Sequence, residues 1–280
     1  MGIGDSIMFI GEAMAARGKT DVTIVPTTDM WDPIWNNIPW IKLRKDIKPG
    51  ENFVVVDTHP MPGGGQRGLR WYHKAWTPGK VHYNYDYQVK PTTIVFSDQE
   101  IDRAFKLAPK RPYICLNPSF KNTTSTDNKD WGWEKWVELN HLMKDFPFER
   151  VQIIPYEDYT DVSGKVRANT DNLLENCWHI PTYDARIAFA ILSGAKAMVT
   201  TEGGFSHAAG ALNIPGVVIF GGFTPPEITN YPRHTAIYPD HPLSPCGAIH
   251  RHCAHCREVM DSIMPEDILI ALKSRLDFFE

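Results

Sequence analysis

The chain has 280 residues, 42% of them hydrophobic and 22% charged, and a formal net charge of -4. That length suits one large domain or two modest ones, and the acidic balance supplies no general basic field, so nucleic-acid binding would need a local basic patch. No apolar run approaches the roughly 20 residues that span a bilayer. The N-terminus lacks the basic stretch and apolar core of a signal peptide, and five cysteines suit a reducing compartment better than a disulfide framework. The expectation is a cytoplasmic protein, with a peripheral membrane contact left open.

In chain order, Gly2-Ile-Gly-Asp5 reads as a glycine loop opening a helix over residues 6–17, with apolar residues at helical spacing and Gly18 as the stop. Residues 21–25 and 53–56 read as strands, and residues 31–43, rich in Trp and Pro, as a loop with a short helix. Residues 57–91, dense in Gly, Tyr, Trp and His, read as a long functional loop. Ser97-Asp-Gln-Glu100 is a capping box for a helix to about Leu107, and residues 108–112 read as a linker. Beyond it come strands at 113–116, 151–154, 197–200 and 217–220, alternating with helices at 133–146, 184–192, 206–212 and 265–276. Strands alternating with helices imply a parallel, doubly wound α/β sheet.

Three constellations carry chemistry. The run Val199-Thr-Thr-Glu202-Gly203-Gly204-Phe-Ser206-His207 takes a strand through an acidic residue and two glycines into a helix. Glycines allow close backbone approach, and helix N-terminal N–H groups suit a phosphate. The plainer reading is a tight turn capped by Ser206. A polar loop after the strand at 113–116 holds Ser119 and leads to Lys129-Asp-Trp-Gly-Trp-Glu-Lys-Trp136, where a lysine ahead of a Trp-rich helix suits an anion, although a loop lysine is by default a solvated charge. Asp5, on a glycine loop at a helix start, stays ionised in the helix dipole and is placed to accept a proton from a hydroxyl; the alternative is a simple cap.

Taken together, Gly4-Asp5, Lys129-Asp130-Trp131 with Glu134 and Trp136, and Glu202 to His207 resemble the motifs of glycosyltransferase family 9, the ADP-heptose:lipopolysaccharide heptosyltransferases and their relatives. Asn213 to Gly222 and the tail from Cys256 to Ile268 extend the likeness. Glu202, Gly203 and Phe205 stand where the family more often has Asp, Thr and Pro. The resemblance implies a GT-B fold, two Rossmann-like domains facing across a cleft, with an acceptor domain over 1–110 and a nucleotide-sugar domain over 111–280. It implies an inverting, metal-independent transfer of a sugar, heptose among the options, from a nucleoside-diphosphate sugar to a lipopolysaccharide or other glycan hydroxyl. By position, Asp5 is the implied general base, and Ser119, Lys129, Glu202, Gly203, Gly204, Ser206 and His207 the implied donor-binding residues. No cofactor beyond the donor substrate and no metal ligand are implied, and the sequence contains no Asp-x-Asp pair.

Two alternatives remain at this stage: a glycosyltransferase acting on a hydroxymethylated DNA base, which the acidic charge weighs against, and a nucleotide-sugar-binding protein without catalysis. The cluster Arg67, Arg70, Trp71, Tyr72 and His73 suits an anionic acceptor or packing with solvated charge. Cys246, Cys253 and Cys256, with His250, His252 and His255 among them, have spacing compatible with a structural zinc site and equally with buried or free thiols. Cys115 and Cys177 read as core residues.

Overall fold

The computed structural model describes residues 2–57, 79–118, 128–155, 159–160, 166–167, 172–182, 184–248 and 252–277. The first helix, α1 (Ile3–Arg17), starts three residues earlier than its periodicity predicts, because the Asp5 carboxylate accepts the Gly2 N–H at 3.2 Å and closes the first turn. Gly18 ends it in a left-handed conformation (φ 57°), its N–H donating to the Met14 carbonyl at 2.9 Å. Strands β1 (Thr23–Pro26) and β2 (Phe53–Val56) pair in parallel, with Ile41 bridging Ile24 on the other side of β1. Between them a short 3-10 turn, Pro33–Trp35, is capped by Asp32, whose carboxylate accepts the Ile34 N–H at 2.9 Å. It drives Trp35 under α1, where the indole packs on Phe9 and donates to the Ser6 carbonyl. The capping box read from Ser97 and Glu100 opens α2 (Asp98–Leu107).

The rest of the chain, among the described residues, forms one large sheet with its helices and a separate antiparallel strand pair. Its elements are β3 (Tyr113–Asn117), α3 (Trp133–Leu142), β4 (Glu149–Pro155), the short antiparallel pair β5 (Tyr159–Thr160) and β6 (Val166–Arg167), β7 (Trp178–Thr182), α4 (Ala185–Leu192), β8 (Ala197–Thr201), α5 (Gly204–Ala211), β9 (Gly216–Ile219), α6 (Pro226–Thr229), β10 (His234–Ile237), α7 (Ala254–Ser262) and α8 (Pro265–Asp277). Six strands run parallel in the order β7-β4-β3-β8-β9-β10, the doubly wound order that reverses direction between β3 and β8. Alternation divides the strand side chains between two cores. Cys115, Val151, Ile153, Met198 and Val218 face α1, α4 and α5, whereas Ile114, Leu116, Ala197, Val199, Val217 and Ile219 face α3, α7 and α8.

Several elements differ from their sequence expectation. Helix α3 ends at Leu142 rather than 146, and the chain beyond it tightens into turns, with the Lys144 N–H on the His141 carbonyl at 3.1 Å and the Phe146 N–H on the Met143 carbonyl at 3.0 Å. Helix α5 starts at Gly204, two residues earlier than expected. Strands β7 and β10 and helix α7 have no counterpart in the expectation. No helix among the described residues is long and apolar enough to cross a membrane.

The N-terminal third is held to the large sheet by helix contacts and one buried cation. The first turn of α1 docks on that of α5, and α2 lies against α4. Arg186 of α4, only 3% exposed, pairs with Glu100 of α2 and donates to the carbonyls of Pro33, Ile34 and Val95. The Arg186 guanidinium holds the Glu100 carboxyl down at about 2. Removing it would strip the Glu100 carboxylate of its cation and take a donor from each of three carbonyls. Urea unfolding of Arg186→Met is therefore expected to show a loss of about 3 kcal/mol, whereas Arg111→Ala, at an exposed pair 3.8 Å from Glu149, should change stability by less than about 0.5 kcal/mol.

Candidate active site

Ligands of open parallel sheets bind beyond the carboxyl ends of the strands at the point where the strand order reverses. Here that point lies between β3 and β8, whose ends are tied by a 3.1 Å hydrogen bond from the Asn117 amide to the Thr200 hydroxyl. The chain leaving β3 leads to Lys129, and the chain leaving β8 is Glu202-Gly203-Gly204. The structure brings the two together: the Lys129 ammonium is paired with the Glu202 carboxylate and also lies 5.0 Å from the Phe223 ring centroid.

Glu202 is 7% exposed. Burial by itself would raise its carboxyl, but the Lys129 charge and His207 outweigh it and hold the group at about 2. The other carboxylate oxygen lies 3.7 Å from His207 Nε2, and His207 Nδ1 is hydrogen-bonded to the Tyr231 hydroxyl at 3.1 Å. Burial pushes the Tyr231 phenol up, so it stays protonated and can donate to Nδ1, which puts the ring N–H on the side of Glu202. Gly210 makes this possible, because a Cβ there would sit 2.4 Å from the Tyr231 ring.

Lys129 is positioned by its neighbours. Trp131 is fully buried, donates its indole N–H to the Ile263 carbonyl at 3.1 Å and packs edge-on against Trp136. Asp130 accepts the Gly132 N–H at 2.9 Å, closing a turn in which Gly132 has φ 97°. Asn128, also buried, donates to the Ala248 carbonyl at 2.8 Å. Lys135 places its ammonium on the carbonyls of Met260, Asp261 and Ile263, capping the end of α7.

The α5 N-terminus supplies the other wall. Gly203 is its cap residue, and Ser206, read from sequence as the cap, is instead the third helical residue. Its hydroxyl accepts the Gly203 N–H at 3.1 Å and donates to the Gly203 carbonyl at 2.8 Å, which fixes the turn and starts the helix two residues early. A Cβ on Gly203 would meet no atom within 4 Å, so that side of the turn is open. Gly204 faces Ile3 and Gly4 across the junction, and a Cβ on Gly4 would come 2.7 Å from the His207 ring. Two helix N-termini thus meet here, that of α1 bringing Asp5, half-buried, to the same region. Their dipoles favour an anion.

Of the residues singled out in the sequence, Lys129, Glu202, Gly203, Gly204, Ser206 and His207 fall in one cluster with the Gly4-Asp5 turn beside it. Ser119 lies outside the described residues, as do Arg67, Arg70, Trp71, Tyr72 and His73. The sequence reading missed Asn128, Phe223 and Tyr231. Nothing in their spacing marks them, since each reaches the site from a separate loop. Cys246, Cys253, His255 and Cys256 also converge, at the edge of the same region.

The sequence profile of glycosyltransferase family 9 (heptosyltransferase) matches residues 67–262. No curated protein matches the chain in sequence. The family 9 glycosyltransferase of Veillonella parvula DSM 2008 superimposes with a TM-score of 0.68 at 12% identity, covering 99% of this chain and 95% of that one. TibC of enterotoxigenic E. coli H10407, a dodecameric, iron-containing heptosyltransferase, superimposes in its complex with ADP-D-beta-D-heptose with a TM-score of 0.65 at 13% identity, over 99% of this chain and 74% of that one. E. coli ADP-heptose lps heptosyltransferase II is 20% identical over 68% of this chain at a TM-score of 0.47, and this chain spans 55% of its length. The fold is the GT-B type of α/β architecture.

The held-down Glu202 carboxyl has a consequence for acid stability. Its contribution is complete above 4.5, its ordinary value, and fades as the pH falls toward about 2. Urea unfolding across that window is expected to show the stability gap between the wild type and Glu202→Gln shrinking as the pH falls. A gap that stays constant would contradict the pairing.

Proposed function

Because the chain belongs to glycosyltransferase family 9, we propose that it transfers a sugar from a nucleoside-diphosphate sugar to a hydroxyl of a lipopolysaccharide or other glycan, with inversion and without a metal ion in the reaction. The observation that carries this reading is the meeting of Lys129 with the α5 N-terminus at the β3–β8 reversal. An ammonium and a set of oriented N–H groups provide what a departing diphosphate requires. In the reaction the acceptor oxygen bonds to the anomeric carbon as the bond from that carbon to the diphosphate oxygen breaks. Asp5 takes the hydroxyl proton, and the charge gathering on the diphosphate is stabilised by Lys129 and the first turn of α5.

In this reading Glu202 has two roles. In the free chain it keeps Lys129 in place, and with donor bound it turns to sugar or ribose hydroxyls while Lys129 is shared with phosphate. His207 orients Glu202 and lies along the diphosphate, and Ser206 holds the Gly203 turn. Ser119 adds a phosphate contact. Residues 1–110 receive the acceptor and residues 111–280 the donor, in a protein working in the cytoplasm at or near a membrane surface. The ADP-heptose complex of TibC makes ADP-heptose the first donor to try. That protein's iron is compatible with metal-free transfer here, since Lys129 and the helix end supply the positive charge and no Asp-x-Asp pair is present in the sequence.

Release of nucleoside diphosphate, followed over a panel of nucleotide sugars with lipopolysaccharide-core acceptors, tests the reading. Lys129→Met should lower kcat/KM by roughly 10²–10³-fold and Asp5→Asn should lower kcat by about 10²–10⁴-fold. Donor binding without any transfer would point to a non-catalytic binding protein, and full activity in Asp5→Asn would remove Asp5 as the base. Gly203→Ala separates binding from folding. Its Cβ meets nothing in the free chain, so its unfolding free energy should stay within about 0.5 kcal/mol of the wild type, while nucleoside-diphosphate affinity falls by about tenfold or more.

A further inference from the structure

We propose that Cys246, Cys253, His255 and Cys256 bind one thiolate-preferring divalent transition-metal ion, zinc or ferrous iron, in a closed structural site that braces the donor wall. The ligand atoms of these four residues all lie within 4.8 Å of one another. Cys246 Sγ is 3.1 Å from Cys256 Sγ and 3.7 Å from Cys253 Sγ, and His255 Nδ1 is 3.9 Å from Cys256 Sγ. Metal bonds of about 2.3 Å to sulfur and about 2.0 Å to nitrogen put tetrahedral ligand atoms roughly 3.4–3.8 Å apart, so small shifts would complete the shell. The cysteines are free thiols.

The surroundings are arranged as a metal site requires. Cys253 is the N-cap of α7 and Cys256 lies in its first turn, so one helix start carries two of the three sulfurs. The Ala248 N–H donates to Cys246 Sγ at 3.4 Å, a contact that spreads thiolate charge into the backbone. The loop reaches that geometry through Gly247 (φ 62°), where a Cβ would strike the Val81 carbonyl at 2.4 Å. His255 Nε2 is hydrogen-bonded to the Ser244 hydroxyl at 2.9 Å, which leaves Nδ1 toward the sulfurs and fixes the ring, the usual outer partner of a ligating histidine. Gly222 gives the ring its room, since a Cβ there would be 2.5 Å from His255 Cε1. His255 and Cys256 are buried. Four protein ligands leave no open position, so the ion would be structural rather than reactive.

The same loop holds the donor wall. The Cys246 N–H donates to the Gly222 carbonyl at 3.0 Å, ahead of Phe223, which faces Lys129. The Ala248 carbonyl receives Asn128, the residue before Lys129. The Gly247 carbonyl receives the Val81 N–H at 2.7 Å, and Tyr83 donates to the Phe223 carbonyl. An ion here therefore pins the segments around residues 81–83, 128–129 and 222–223 at once. This bracing rests on the proposed function, whereas the metal site itself does not.

The test is metal analysis of the full chain purified without chelator, followed by chelation under reducing conditions and titration of the apo chain with Co²⁺ alone. About one zinc or iron per chain, a visible spectrum of tetrahedral thiolate-bound Co²⁺ that Zn²⁺ displaces, and a rise in Tm on adding Zn²⁺ are the expected results. Cys253→Ser and His255→Ala should lose the metal, and Cys177→Ser should keep it. A purified chain with no metal whose apo form gives no Co²⁺ spectrum, or a Cys246–Cys256 disulfide in the native protein, would overturn the proposal. Should the cluster variants fail to fold, the Co²⁺ titration of the wild-type apo chain decides alone. If the bracing holds, the apo chain binds nucleoside diphosphate several-fold more weakly than the metal-loaded chain. Metal binding with no nucleotide binding in either form would overturn the donor reading and leave the metal site standing.

Discussion

The site is organised around one ion pair, that of Lys129 with the buried carboxylate of Glu202. Glu202 is buried at the end of β8, and a carboxylate so placed is stable as an anion only with a cation against it. Lys129 supplies that cation from the far side of the strand reversal, and His207 steadies the second oxygen. The pair keeps a positive charge ordered beside the first turn of α5 before any ligand arrives. In the proposed function a diphosphate would meet a charge already in position, with the cost of ordering the lysine met during folding.

Much of the surrounding structure maintains that one placement. Trp131 and Trp136 anchor the Lys129 loop in the core on one face of the sheet. Arg186 and the docking of α1 on α5 fix the N-terminal third, with the Gly4-Asp5 turn beside His207. Gly4 and Gly204 let the two helices approach closely beside His207, and Gly210 makes room for the Tyr231 ring that holds its Nδ1. In the proposed function, donor binding and proton transfer fall to two helix ends whose contact is part of the protein's core packing.

The legible parts of the sequence were those governed by local rules. Apolar runs mark β2, β3, β8 and β9, and the Ser97-Glu100 box marks the start of α2. Strand β7 leaves little trace in the sequence because it is an edge strand with alternating exposed residues and a proline at 181, and β10 because it is a four-residue edge strand. Helix α7 was hidden behind cysteines and histidines that read as ligands. At the site, Lys129, Glu202 and the glycines were visible as motifs, but their pairing was not, since it depends on β3 and β8 being neighbours. Tyr231 and Asn128 were invisible for the same reason: their roles exist only through contacts made across long stretches of chain. Ser206 shows the limit of local rules, because its hydroxyl does bond the turn, from the third helical position instead of the cap.

The central claim is that the β3–β8 reversal recognises a diphosphate. Calorimetric titration of the wild-type chain with a nucleoside diphosphate and with the matching monophosphate tests it most directly. The diphosphate should bind saturably and the monophosphate at least about tenfold more weakly, a difference of about 1.4 kcal/mol. Equal affinities, or no binding of a diphosphate with any of the common bases, would contradict it.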